Sequence, residues 1–143
     1  MASSFNQILR GAAGSGETPS TVEDLFSTYL YEGTGATPTI TNGIDLAGEG
    51  GLVWIKNRDA TDNNVLTDTV RGATKISYSN GTHAEGTDAD TITSFTSTGF
   101  VLGDDVKVNT SAESYVAWTF RKVPKFFDVI QYSGNGGAQV LNH

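Results

Sequence analysis

The sequence predicts an all-β fold, a β-sandwich or jelly roll, preceded by a short helix and an extended N-terminal arm. Two observations on composition favour strands and turns: the chain holds 17 glycines and many threonines, and helix-favouring stretches are sparse. A third observation is the spacing, since short apolar or alternating segments follow one another with turn signals about every ten residues. With 143 residues, the chain is long enough for one domain with a buried core.

Charge and composition exclude several classes of protein. The net charge of −7 argues against a nucleic-acid partner, because phosphate recognition needs clustered lysine and arginine. The absence of cysteine excludes disulfides, thiolate metal sites and a cysteine nucleophile. No apolar run reaches the length of a membrane span, and the N-terminus lacks the apolar core of a secretion signal.

Residues 1–28 form the predicted N-terminal arm, which consists of an amphipathic segment, a hinge and a short helix. The segment contains Phe5, Ile8 and Leu9, which we expect to be the side chains that contact a partner. Residues 11–16, Gly-Ala-Ala-Gly-Ser-Gly, are too small to pack a core and are typical of a flexible hinge. A disordered tail without a partner is the alternative interpretation.

The short helix is predicted from Thr21 to about Ser27. Ser20 is the expected N-cap, and Glu23 three residues later completes a capping-box pattern after Pro19. The apolar residues at helical spacing are Val22, Leu25, Phe26 and Tyr29. Such a stripe is too short to be stable alone, so the helix must bury it against the sandwich.

Strand patterns dominate residues 29–131, the predicted sandwich domain. The predicted strands cover residues 27–33, 37–43, 51–57, 64–70, two segments within 91–103, 114–122 and 125–132. Residues 51–57 are almost continuously apolar, which is typical of a strand covered on both faces. Packing two sheets together is expected to bury the large aromatic residues Trp54, Phe100, Trp118 and Phe120.

The stretch Gly51–Lys75 could contain a catalytic or metal-binding loop, because a polar turn separates its two strand patterns. Asp59, Asp62, Asn63 and Asn64 offer oxygen atoms of the kind that calcium prefers. Their spacing fits no EF-hand, and the same residues are typical of a hairpin turn. Residues 87–90, Thr-Asp-Ala-Asp, leave the same two interpretations open. We therefore predict strand, turn and strand, and assign no metal ligand or cofactor.

Catalysis is not predicted, because no combination of nucleophile, base and orienting group can be assembled from the sequence. His83 and His143 are the histidines of the chain, and His83 lies in a polar, loop-like segment. Known catalytic motifs such as G-x-S-x-G and H-E-x-x-H do not occur, and no pair of carboxylates can be placed at glycosidase spacing. Trp54 and Trp118 would serve as sugar platforms if they were exposed, although burial in the core is the interpretation that their apolar strands favour.

Residues 132–143 form a third predicted unit. The stretch Tyr31–Asn42 has an echo in Tyr132–His143, since Tyr, Gly and Gly recur at the same spacing and Ile40 matches Leu141. Such an echo indicates an internal repeat. Because an isolated strand is not stable, we expect residues 132–143 to be the start of a second β unit or, as the less favoured alternative, an edge strand of the first domain.

Residues 43–75 and 96–136 resemble a repeated domain of large tail-fibre and other virion proteins of bacteriophages, including phages of cyanobacteria. The shared landmarks are Gly-Leu-Val-Trp-Ile-Lys at 51–56, Asp-Thr-Val-Arg-Gly at 68–72, Gly-Phe at 99–100 and Tyr-Val-Ala-Trp-Thr-Phe-Arg at 115–121. The resemblance covers residues 29–143. It implies a concanavalin-A-like sandwich in a virion structural protein, and no catalytic residue can be carried over from it.

The resemblance further implies the N-terminal, tail-attaching part of a tail fibre involved in host attachment, made in the host cytoplasm and carried in the virion. Its arm would bind other tail proteins, and a trimer is the usual fibre assembly, with host glycan as a downstream partner. Arg71 and Gly72 are expected either to place a guanidinium against a carboxylate at a subunit contact or to be plain surface residues. The alternative function is a capsid decoration or carbohydrate-binding module.

Overall fold

The computed structural model describes residues 21–142, which form a β-sandwich of two antiparallel sheets. The strands, in chain order, are β1 (Phe26–Glu32), β2 (Thr39–Thr41), β3 (Gly51–Asn57), β4 (Val65–Asp68), β5 (Lys75–Tyr78), β6 (Gly86–Thr87), β7 (Ile92–Thr96), β8 (Gly99–Leu102) and β9 (Ser114–Arg121). Two short helices complete the fold, α1 (Val22–Leu25) and α2 (Val106–Asn109). The predicted all-β sandwich is confirmed.

The two sheets differ in size. The large sheet has six strands in the order β1-β9-β3-β4-β5-β6, and the small sheet has three in the order β2-β8-β7. Every strand pair is antiparallel. The central strands of the large sheet, β9 and β3, run from Gly51 opposite Arg121 to Asn57 opposite Tyr115. These two strands therefore determine which side chains face the small sheet.

The core lies between the sheets and is built from alternate residues of each strand. On β3 the inward residues are Val53 and Ile55, and on β9 they are Tyr115 and Ala117. The buried apolar residues that form this cluster are Ile40, Ile44, Leu46, Val53, Ile55, Val65, Ile76, Ile92, Phe100, Leu102, Val108, Tyr115 and Ala117. Burying a side chain of this size is worth about 1.5–3 kcal/mol each, so this cluster is the main source of stability.

Helix α1 is a single turn that is capped by different residues from those predicted. The backbone N–H of Thr21 donates to Oδ2 of Asp24 at 2.8 Å, and its hydroxyl donates to the same oxygen at 3.1 Å. The N-cap is therefore Thr21 with Asp24 rather than the predicted Ser20 with Glu23, and Ser20 itself lies outside the described residues. The predicted end at Ser27 is wrong as well, because Phe26 and the residues after it pair with β9 instead. In the part of the chain that the structure describes, no helix is long and apolar enough to cross a bilayer.

Helix α2 holds the loop that follows β1. The buried Asn109 donates from Nδ2 to the carbonyl oxygens of Ala36 at 2.6 Å and Gly103 at 2.7 Å, while its Oδ1 accepts the N–H of Thr34 at 2.8 Å. Gly33 packs so closely against the carbonyl oxygen of Thr110 that a Cβ would collide with it. These contacts fasten the end of β1 to the residues between α2 and β9.

The strand predicted at residues 125–132 is not formed. Val123 and Phe127 exchange two backbone hydrogen bonds in an isolated bridge, but no strand follows. The physical reason is that β9 already has β1 on one edge and β3 on the other, so the chain that leaves β9 finds no free edge there. Residues 132–142 contain no strand either, so the edge-strand alternative is not realised in the described residues.

Candidate functional site

The outer face of the large sheet carries aromatic side chains that the core does not use. Because side chains alternate along a strand, the residues of β9 between the inward ones point away from the small sheet. Trp118 lies directly opposite Trp54 with ring centroids 5.0 Å apart, and Phe120 lies opposite Phe26 at 4.9 Å. We call these four residues the outer aromatic face. Each such aromatic pair contributes about 0.5–1.5 kcal/mol beyond its buried area.

The predicted burial of three aromatic residues between the sheets is wrong. Trp54, Trp118 and Phe120 are half-buried on the outer face, whereas Phe100 is fully buried in the core as predicted. Both faces of β9 carry large residues, so its alternation alone does not say which face is covered. The face that carries Tyr115 packs against the small sheet and forms the core.

The residues after β9 partly cover the outer aromatic face. We call residues 122–132 the C-terminal strap. The ring of Phe127 stacks on Phe120 at 5.1 Å, and Lys122 Nζ lies 3.0 Å from Oδ1 of Asp128. Lys125 has φ +67 at the turn of the strap, a conformation that non-glycine residues rarely adopt. The strap is therefore a defined covering of the sheet.

A cleft of about 390 Å³ lies between the strap and the sheet. Its lining residues are Leu52, Asp68, Arg71, Glu85, Val129, Ile130, Gln131 and Tyr132. Arg71 is the central charge: its Nε donates to Oδ2 of Asp68 at 2.6 Å, and its Nη1 donates to Ser77 and, at 3.3 Å, to Glu85. The cleft thus combines an apolar wall with an ion-pair network.

The structure places Arg71 against carboxylates of its own chain. Asp68 also accepts the backbone N–H groups of Val70 and Arg71 on Oδ1, at 3.0 and 2.9 Å. Gly72 has φ +110, so the positive φ expected beside Arg71 is present. The carboxylate predicted for Arg71 is therefore found inside the chain, and a subunit contact is not needed to explain the pair.

The candidate calcium ligands instead shape a hairpin turn around Asn57. Nδ2 of this buried asparagine donates to Asp62 Oδ2 at 2.8 Å and to Glu113 Oε2 at 2.6 Å. Asp59 accepts the backbone N–H of Ser114 at 2.6 Å, and this hydrogen bond lowers the pKa of the Asp59 carboxyl. Within residues 21–142, no three His, Asp or Glu side chains come together as a metal site would require.

The remaining sequence-predicted residues do not join these sites. His83 lies on an exposed loop, where its ring meets Tyr78 edge-on at 5.3 Å. Phe5, Ile8 and Leu9, the predicted partner-binding residues, lie outside the described residues. The pairing of Asp62 and Glu113 through Asn57 was missed, because Asn57 and Glu113 are 56 positions apart along the chain and carry no local signal of their contact.

The fold and the site together define a small antiparallel β-sandwich domain with a strapped, aromatic outer face. Residues 21–143 match the model of the family described as "Domain of unknown function (DUF7483)", and the chain belongs to that family. No curated protein matches the chain. No solved structure matches it either. The match begins at Thr21, the capping residue of α1.

Replacing Trp118 with alanine tests the outer aromatic face. We expect the free energy of unfolding to fall by about 1–3 kcal/mol, less than for a fully buried aromatic residue, because this ring is only partly buried. Urea denaturation measures the loss. Thr28→Ala, at the exposed position opposite Trp118, is the control and should change stability by less than about 0.5 kcal/mol. A loss of 4 kcal/mol or more for Trp118→Ala would place the ring in the core.

Proposed function

We propose that the chain is a structural protein of a bacteriophage virion, the N-terminal, tail-attaching part of a tail fibre involved in host attachment. The observation that carries the proposal is the resemblance of residues 43–75 and 96–136 to the repeated domain of such proteins. Its landmark segments coincide with β3, with the turn that holds Arg71 and with β9. The resemblance therefore involves the segments that build the centre of the large sheet.

A non-enzymatic role agrees with how the polar side chains are used. The charged groups of the cleft and of the Asn57 turn are occupied in hydrogen bonds that hold the fold. The outer aromatic face and the side chain of Leu30, which is 61 % exposed on β1, offer apolar surface of the kind used in assembly. In this proposal the domain supports and spaces other parts of the virion and performs no reaction.

Phe5, Ile8 and Leu9 are the proposed attachment residues. Burying three such side chains in a tail protein returns about 1.5–3 kcal/mol each, while ordering the backbone costs about 1–2 kcal/mol per residue. One arm would therefore bind weakly. Several arms around a fibre axis, three in the favoured trimer, would bind firmly through effective concentration.

The test is incorporation of arm variants into phage particles. Phe5→Ser, Ile8→Ser and Leu9→Ser combined should reduce incorporation about tenfold or more, since the loss is multiplied over the arms of an oligomer. Asn6→Ala with Gln7→Ala is the matched control in the same segment and should incorporate normally. Circular dichroism checks that both variants keep the sandwich. Normal incorporation of the triple variant would remove the arm as the anchor.

A carbohydrate-binding or capsid decoration module is the second candidate, and the partly exposed Trp54–Trp118 pair on the outer face favours it. Pyranose rings stack on indole rings through their apolar faces. Titrating capsular and cell-wall saccharides against tryptophan fluorescence separates the two candidates. A saturable change that disappears in Trp118→Ala supports the module, and no response to any saccharide supports the fibre proposal.

A further inference from the structure

Residues 127–136 repeat the pattern of residues 26–35. Phenylalanine, tyrosine and two glycines recur at the same spacing, as Phe26, Tyr31, Gly33 and Gly35 in the first segment and Phe127, Tyr132, Gly134 and Gly136 in the second. The backbone repeats the pattern too, because Gly35 has φ +65 and Gly136 has φ +77. The match therefore extends from the residue types to a shared left-handed turn.

The first segment shows what these residues do. Tyr31 stacks on Tyr115 at 5.2 Å and donates its hydroxyl to the carbonyl oxygen of Val108 at 2.7 Å. Gly33 donates to the carbonyl oxygen of Glu113 at 2.8 Å and packs on the backbone of Thr110. We call this receiving surface, formed by β9 and residues 106–113, the β1 groove. The tyrosine and the first glycine of the pattern are the residues that fit it.

The second segment makes few of the corresponding contacts. Phe127 contacts the ring of Phe120, as Phe26 does in a tilted geometry, but the side chain of Tyr132 is 63 % exposed and that of Ile130 is 38 % exposed. Residues 127–136 form no strand, since neither edge of β9 is free. Residues 127–136 therefore carry the residue pattern of β1 but lie on the surface, where they do not occupy a groove like the one that receives β1.

We propose that residues 127–136 are a docking strand, and that their partner is the β1 groove of a second copy of this domain. Docking would pair the segment with β9 of that copy, place Tyr132 on its Tyr115 and Gly134 on its Thr110, and release the strap from the cleft. Repeated from copy to copy, the contact joins domains head to tail. The inference goes beyond the proposed function and does not depend on a virion setting.

Docking requires that β1, which already fills the β1 groove of each copy, leave it. In each copy β1 is tethered beside its own groove, and this high effective concentration favours it over a strand from another molecule. Exchange between copies should therefore be rare in the unaltered chain and become prominent when β1 is weakened. Tyr31→Ala weakens it, because this variant loses the stack on Tyr115 and the hydrogen bond to Val108.

The first experiment measures binding of a fluorescein-labelled peptide of residues 126–137 to the full chain carrying Tyr31→Ala, by fluorescence anisotropy. We expect this variant to bind the peptide about tenfold or more tighter than the unaltered chain does. A peptide of residues 25–36 should compete. The 126–137 peptide with Gly134→Ala is the matched control. It should not bind, because the added Cβ would collide with Thr110 as a Cβ at Gly33 would. Binding of 25–36 without binding of 126–137, or equal binding of the control, overturns the proposal.

A second experiment decides the question if the variant binds neither peptide. Ser114 lies opposite Glu32, the counterpart of Ser133, and the chain has no cysteine of its own. Ser114→Cys with Ser133→Cys, added to Tyr31→Ala so that β1 is weakened and incubated at high concentration in a thiol–disulfide buffer, should form 114–133 disulfides between copies, identified by mass spectrometry on mixed isotope-labelled chains. Ser114→Cys with Gln139→Cys, which lies beyond the segment, should not. Bonds within one chain only, or none, overturn the proposal.

Discussion

Tyr115→Ala is expected to remove most of the stability of the domain. Tyr115 is fully buried, stacks on Tyr31, donates its hydroxyl to the carbonyl oxygen of Val106 at 2.9 Å and accepts the N–H of Thr110 at 2.9 Å. Truncating a buried aromatic residue costs about 3–5 kcal/mol, and a domain of this kind has only about 5–15 kcal/mol in total. Urea denaturation followed by circular dichroism measures the loss.

Tyr115→Phe is the control that separates the ring from the hydroxyl. It keeps the stack and should cost about 1–3 kcal/mol, because the groups paired with the hydroxyl lose their buried partner. Burial raises the pKa of both Tyr31 and Tyr115, so the fold favours the neutral phenols. The contribution of these two phenols to stability should therefore be constant below about pH 10 and be lost as the pH rises above it, with a smaller loss in Tyr115→Phe. A cost for Tyr115→Ala no larger than that for Tyr115→Phe would contradict the packing role of the ring.

Arg71→Ala is expected to cost about 3 kcal/mol, the lower end of the range for breaking a buried ion pair. The side chains of Arg71 and Asp68 are only 16 % and 2 % exposed, so the variant leaves the Asp68 carboxylate buried without its counter-charge. The backbone N–H groups of Val70 and Arg71 still bind this carboxylate, which keeps the cost from being larger. The free energy of unfolding by urea is again the measurement.

Arg121→Ala is the matched control for Arg71→Ala. The side chain of Arg121 has a similar exposure of 19 %, and its Nη2 lies 3.2 Å from Oε1 of Glu49, but Glu49 is 50 % exposed. An ion pair with an exposed partner contributes about 0–1 kcal/mol. Asp68→Asn combined with Arg71→Ala should recover part of the loss, because the unpaired charge is then gone. Equal costs for Arg71→Ala and Arg121→Ala would show that burial of Asp68 is not the cause.

Local pattern was enough to predict most strands of the two sheets. The apolar run at residues 51–57 coincides with β3, and the segments around β1, β2, β4, β7, β8 and β9 were all predicted from alternation and turn residues. The local pattern did not predict β5, β6 or α2, which are only two to four residues long. β5 and β6 lie at one end of the large sheet, where neighbouring strands rather than their own residues define them.

The site was predicted only in part, for the same reason. Arg71 was expected to meet a carboxylate at a subunit contact or to be a plain surface residue, whereas it pairs with Asp68 of its own chain. Asp68 lies three residues away in the same turn, within reach of a local argument. Glu85 of the cleft and the strap that covers it come from distant parts of the chain. Their approach depends on how the strands are ordered in the sheet, which no short stretch encodes.

The sequence by itself determined the class of fold and the positions of its main strands, because both depend on neighbouring residues and their periodicity. Tertiary structure alone decided which face of β9 became the core and whether residues 125–132 became a strand. The first choice depended on the fit of Tyr115 and Ala117 to the small sheet, since Trp118 and Phe120 are equally apolar. The second depended on free strand edges. A segment with the residues of a strand can pair only where backbone donors and acceptors remain unpaired, and those of β9 are already paired with β1 and β3.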